Sequence, residues 1–195
     1  MQASPQQEKL FVEIEDLRRQ ILDIKADAQS LFASLNHEQF NWRPQAGVWS
    51  IAECIEHLNV AAKLYFPLLD AKINQGRANK IFGQEPFRYG WFNNWFVRTL
   101  EPPVKLKVKT PKAFAPTADK SFAAVTEEFM QTQEAVIERL YQANGLDLRR
   151  LKIQSPRSRL IKLRLGKAFA MIAAHERRHL WQARQLIAHP NFPAQ

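Results

Sequence analysis

A chain of 195 residues, 46% hydrophobic and 24% charged, is long enough to bury a core unaided and has the composition of an ordinary soluble globular domain. No apolar run approaches membrane-spanning length. The start, MQASPQQEKLFVEIEDL, lacks the basic-then-apolar layout of a signal peptide, so a cytoplasmic location is expected. A single cysteine, Cys54, excludes an internal disulfide framework.

The net charge of +9 is localised. Between Leu148 and Arg178 stand ten Lys/Arg and one acid, Glu176, while the rest of the chain balances at 18 against 18. Such a segment can steer nucleic acid, an anionic membrane or a small anionic ligand, or be a solvated face that binds nothing. No nucleic-acid motif accompanies it, so no nucleic-acid partner is expected. The stretch PRSRLIKLRL at 156–165 is too short for an amphipathic anchor, so no membrane partner is expected either.

Four long helical segments follow in chain order. The first is expected to begin with Ser4 as N-cap and Pro5 at the first helical position. Its apolar stripe is Leu10, Ile14, Leu17, Ile21, Ile24, Ala28, Leu31 and Leu35, spaced by alternating steps of four and three. The second starts at Ser50, whose SIAE sequence is a capping box with Glu53, and runs to about Asn74, where NQGRAN loosens it. Residues 76–117 form a long aromatic connection, with a short helix expected near 87–99 and an extended ordered segment after it. The third helix lies near 118–143, with Phe122, Val125, Phe129, Val136 and Leu140 inward and Asn144-Gly145 closing it. A basic connection, 145–164, leads to the fourth helix, about Leu165 to Ala188. No alternating strand pattern of any length is evident. The expectation is an all-α four-helix bundle with long ordered connections between helices 2 and 3 and between helices 3 and 4, forming one domain. A long connection in a compact domain often borders a site.

The fourth helix carries an inward stripe of Leu165, Phe169, Ile172, His175, His179, Ala183 and Leu186. Residues four apart lie one above the other, so the two imidazoles can converge on one ion. His57 lies on the inward stripe Cys54, His57, Ala61, Leu64, Leu68 of the second helix and can supply a third ligand. His37, in a polar turn, and His189, at a helix end, read as surface residues. Three histidines with an open fourth position suit a catalytic metal. The alternative is a buried histidine network bonded to Glu53, Gln182 or backbone carbonyls.

WSIAECIEHLN at 49–59 and HERRHLWQARQL at 175–186, together with LNHEQFNWRPQAGVWS before the second helix and VKTPKAFAPT before the third, resemble the DinB-like (YfiT-like) superfamily of four-helix bundles. The resemblance covers about residues 8–188. It implies a divalent metal, commonly zinc or nickel, held by one histidine of the EHL motif and two of the HxxxH motif. Carried over by position, these are His57, His175 and His179. Characterised relatives include transferases and isomerases that use a low-molecular-weight thiol such as bacillithiol or mycothiol. The resemblance therefore implies metal-assisted activation of a thiol or water nucleophile on a small-molecule substrate.

Around these residues, Cys54 is read as a small buried hydrophobe, with metal ligation the alternative. Glu53 is read as a cap, with a supporting or general-base role the alternative, and Gln182 as a residue that can orient a ligand. Glu176 points roughly 100° from His175 and is expected to pair with Arg177 or a neighbouring helix. Arg177 and Arg178 are either solvent-facing or an anion clamp for a carboxylate-bearing thiol. Trp49 and Trp181 read as packing, whereas Trp91 and Trp95 are the expected pocket wall. The leading expectation is a monomeric or dimeric metal-dependent enzyme, favouring thiol S-transfer. A non-enzymatic bundle that holds a metal or ligand for stability or sensing, and a basic nucleic-acid adaptor, are the alternatives.

Overall fold

The computed structural model describes residues 9–104, 109–116, 121–158 and 160–194. Four long helices dominate it: α1 (Val12–Ala33), α3 (Ile51–Ala78), α5 (Phe122–Ala143) and α6 (Leu165–Ile187). Two short helices, α2 (His37–Asn41) and α4 (Trp91–Arg98), lie in the connections, with a 3-10 turn over Lys112–Phe114. A two-stranded antiparallel hairpin, β1 (Lys152–Gln154) and β2 (Lys162–Arg164), precedes α6.

α1 and α3 each pack against both α5 and α6. The ring order is therefore α1, α5, α3, α6, which puts α1 diagonal to α3 and α5 diagonal to α6. Two-residue turns cannot cross a bundle diagonal, which explains why residues 34–50 and 144–164 are long. The expected α1 stripe is the buried one from Ile14 to Leu31, closing on Phe40, Phe129 and Phe169. Phe32 meets Phe40 and Phe129 edge-on at 6.1 and 6.0 Å between ring centroids. Each such side chain removed from water contributes roughly 1.5–3 kcal/mol, which is what holds helices of marginal individual stability together.

Several boundaries differ from the sequence reading. The expected Ser4–Pro5 start lies outside the described residues, and α1 begins at Val12. Its cap comes from afar: Phe11 offers no side-chain cap, and the Glu85 carboxylate accepts from the N–H groups of Val12 (2.7 Å) and Glu13 (3.2 Å). α3 runs on to Ala78 instead of loosening near Asn74, because Gly76 is a packing position. A Cβ there would stand 2.8 Å from Leu151 Cδ1 and 3.1 Å from Leu146 Cδ1, so the missing side chain lets the 146–151 segment lie against the helix. α5 begins at Phe122 with Ser121 as N-cap, its Oγ accepting from Ala124 N–H at 3.2 Å; residues 118–120 lie outside the described set. The short helix of the aromatic connection is Trp91–Arg98.

The basic connection is a hairpin, contrary to the reading that no strand pattern exists. Its strands are three residues each, too short to show periodicity. Ile153 and Leu163 pair and point inward, while Lys152, Gln154 and Lys162 are exposed. The strand pleat thus separates an apolar face that docks on the bundle from a basic face that meets solvent.

Candidate metal centre

α3 and α6 position the centre. Ser50 caps α3 through the expected box: Glu53 N–H donates to Ser50 Oγ at 3.2 Å, and Glu53 Oε2 accepts from Ser50 N–H at 2.8 Å. One turn on, His57 is buried and faces His175 and His179 of α6. His175 Nε2 lies 3.2 Å from His57 Nε2 and 3.1 Å from His179 Nε2. The ligand atoms of all three rings lie within 4.8 Å of one another. Nitrogens bound tetrahedrally at zinc-like bond lengths stand about 3.3 Å apart, so this spacing fits one ion facing three rings.

The ring environments support the same arrangement. His57 Nδ1 is 2.5 Å from the carbonyl oxygen of Phe114. A carbonyl only accepts, so Nδ1 carries the proton and Nε2 presents a lone pair to the other two rings. Burial first, then the repulsion of neighbouring rings at His175 and His179 and the positive charge of Arg178, favour the neutral form a metal requires. The Phe114 carbonyl partly offsets this at His57, His175 falls to about 3, and His179 lies well below the ordinary range. Trp49 packs on His57 (5.0 Å between centroids) and lies nearly parallel to His179 (6.1 Å, 30°), shielding one flank.

The three rings line a cavity of about 640 Å³, a size that suits a small molecule. Phe96, Leu100, Met171 and Ile172 supply apolar wall, and Tyr65, Ser155, Arg157 and Arg178 supply polar groups.

The other candidate residues divide. Gln182 lines the cavity and stands close enough to His179 to favour its charged form, although Nδ1 of that ring makes no hydrogen bond of good geometry. Glu53 does not line the cavity. It accepts from Arg43 Nε at 2.7 Å as well as capping α3, and these contacts outweigh burial to hold its carboxyl below the usual range. Cys54 is fully buried and outside the histidine cluster, and burial pushes its thiol well up. The two arginines separate. Arg178 lines the cavity, whereas Arg177 turns away to Glu101 (2.9 and 2.5 Å) and Gln20 (3.0 Å). The expected pocket wall of Trp91 and Trp95 is corrected: they are 78% and 53% exposed, and Trp49, Trp181 and Phe96 line the cavity instead. On the eight-residue α4, the face carrying Phe96 turns inward and the Trp91/Trp95 face turns out.

Three contributors escaped the sequence reading, and a fourth, Glu176, is read there with an inter-helix partner but without its place on the cavity wall. Glu176, expected to pair with Arg177 or a neighbouring helix, is buried on the cavity wall and accepts from Gln133 of α5 at 3.1 Å; burial pushes its carboxyl up to about 7. The letters HERRH spell His-Glu-x-x-His, and that was its available signal. Arg157 was hidden among ten similar cations, and Tyr65 looked like one more core aromatic. The Phe114 carbonyl is a backbone atom with no side-chain signature.

Comparison with known proteins agrees with this architecture. YfiT from Bacillus subtilis, described as "a probable metal-dependent hydrolase with an unusual four-helix bundle topology", superposes with a TM-score of 0.60 at 12% identity, covering 96% of this chain and 93% of that one. No curated protein matches the sequence. The sequence model of the DinB superfamily matches residues 20–183, a span that includes all three histidines. The chain belongs to the DinB superfamily.

Proposed function

We propose that this protein is a metal-dependent enzyme in which His57, His175 and His179 hold one divalent ion, zinc or nickel, at the wall of the 640 Å³ cavity. The observation that carries the reading is that the Nε2 atoms of His57 and His179 lie 3.2 and 3.1 Å from His175 Nε2, where the rings open onto a chamber large enough for a substrate. Three donors leave a coordination position for a thiol or a water, which a divalent cation makes nucleophilic near neutral pH. Thiol S-transfer to an electrophilic small molecule is the favoured subclass. Hydrolysis, the chemistry named in the description of YfiT, uses the same donor set with water as nucleophile.

The chain's own residues supply the rest. The Phe114 carbonyl fixes the His57 tautomer, and Trp49 keeps water from one flank of the rings. Phe96, Met171 and Ile172 hold the apolar part of a substrate beside the histidines, and Gln182 lines the chamber near His179. A purely structural ion is the second reading. Against it stands Cys54, one turn before His57, which lies outside the cluster of converging donors.

The test is elemental analysis of untagged protein, as purified and after reconstitution, alongside His57→Ala and His175→Ala. About one ion per chain, lost in both variants, is expected. Unchanged metal content in His175→Ala rejects the ligand set. Absence of metal from the reconstituted wild type reduces the cluster to a buried polar network and ends the enzyme reading.

A further inference from the structure

Among the described residues, two cations outside the histidine cluster line the cavity. Arg178 reaches it from α6, one residue before His179, and Arg157 reaches it from the turn between β1 and β2. Both line the same chamber as His57, His175 and His179.

Placing Arg157 there takes construction that a solvated loop would not need. Ser155 N–H donates to the Ile161 carbonyl at 2.8 Å, and the Ser155 carbonyl accepts from Ser158 N–H at 3.3 Å. Ser155 Oγ accepts from Arg157 N–H at 3.3 Å and shares a 2.7 Å hydrogen bond with the buried hydroxyl of Tyr65 on α3. The hairpin tip is thereby fastened to the same helix that presents His57. Glu176, the acid among the described lining residues, hydrogen-bonds Gln133 of α5.

We propose that Arg157 and Arg178 form an anion subsite within the histidine cavity, so that the substrate or cosubstrate carries a carboxylate or a phosphate a short apolar span from its reacting end. This rests on reading the cavity as the substrate chamber. Guanidinium groups bind either oxyanion in a fork of N–H donors and hold it at a fixed distance from the histidines. The subsite also gives part of the localised charge a role. Lys152 and Lys162 of the hairpin do not line the chamber, whereas Arg157, itself exposed to solvent, and Arg178 are the described members of the basic segment that do. Tyr65 and Ser155 are positioning residues that set where Arg157 stands.

The experiment uses the full chain stripped of metal with a chelator, titrated with hexanoate, hexyl phosphate and hexanol while tryptophan emission is followed. Trp49 and Trp181 in the cavity wall are the reporters. At least one anion is expected to bind about tenfold more tightly than hexanol, a preference that salt weakens. The tighter of the two names the oxyanion class. Arg157→Gln and Arg178→Gln should each remove most of the preference, and Lys152→Gln, which deletes an exposed hairpin charge, should keep it. No preference in the wild type, or one that survives both arginine variants, overturns the subsite. The wild-type comparison alone decides if Arg178→Gln fails to fold. Because no metal is present, anion preference without metal uptake would reject the enzyme reading and leave the subsite standing. Metal uptake without anion preference would do the reverse.

Discussion

The Nδ1 atom of His57 stands 2.5 Å from the backbone carbonyl oxygen of Phe114, a residue 57 positions further along the chain. The 3-10 turn over Lys112–Phe114 is held against the bundle by the buried Phe114 ring. Shortening that ring should let the carbonyl drift and loosen the His57 tautomer without removing a ligand. Phe114→Ala is expected to bind metal about tenfold more weakly than wild type, a loss typical of groups that orient a ligating histidine. A competitive chelator titration measures it, and unchanged affinity would show that the carbonyl has no orienting role.

Trp49 touches two of the three rings, so its emission should respond when they bind an ion. Nickel added to metal-free protein is expected to quench part of the fluorescence, and Trp49→Phe should remove most of that response. An equal response in Trp49→Phe would place the ion elsewhere.

Cys54 is fully buried, and its thiol is pushed well above the ordinary range. The reactive form of a thiol is the thiolate, so the native protein should be inert to a chromogenic disulfide reagent and react only on unfolding. Cys54→Ala should keep its full metal content. Rapid labelling of native protein, or metal loss in the variant, would return Cys54 to the site.

Glu53 tests the cap separately from the chemistry. Burial raises its carboxyl pKa, but the Arg43 contact and the Ser50 amide outweigh this and leave it below 4.5. The folded state therefore binds this proton less readily than the unfolded chain. The stabilisation is present above about pH 4.5 and disappears as pH falls through the depressed folded value. Glu53→Gln keeps a capping side chain and deletes the charge. It should cost about 0.5 kcal/mol at pH 7 in urea unfolding, a loss that shrinks as pH falls below about 4.5, with metal content at pH 7 equal to that of wild type. A difference that persists undiminished at pH 2 would mean the loss is steric.

The bundle was legible because its signals are local and repeated. The alternating stripe from Ile14 to Leu31, the Ser50/Glu53 box and the His175/His179 spacing can each be read within a few turns of one helix. What escaped depends on distant partners. Glu85 caps α1 from 73 residues away, and Gly76, which reads locally as a helix breaker, is explained by Leu146 and Leu151 pressing on it. The aromatic connection misled for a related reason. Trp91 and Trp95 are the more conspicuous letters, but helical phase turned Phe96 to the cavity. Three-residue strands leave no period to detect, so the hairpin and the place it gives Arg157 emerged only in three dimensions.

His57 and His175 are separated by 118 residues of chain yet meet ring to ring. An ion gripping both would act as a clasp that only the folded chain can close. It would close a loop containing α4, α5 and the hairpin, and so join the fates of segments otherwise held by packing and a few hydrogen bonds. Partial opening of any one of them would strain the clasp. Release of the ion and melting of the bundle would then be a single cooperative event, and the resting protein would stay closed around its chamber for as long as the clasp is shut.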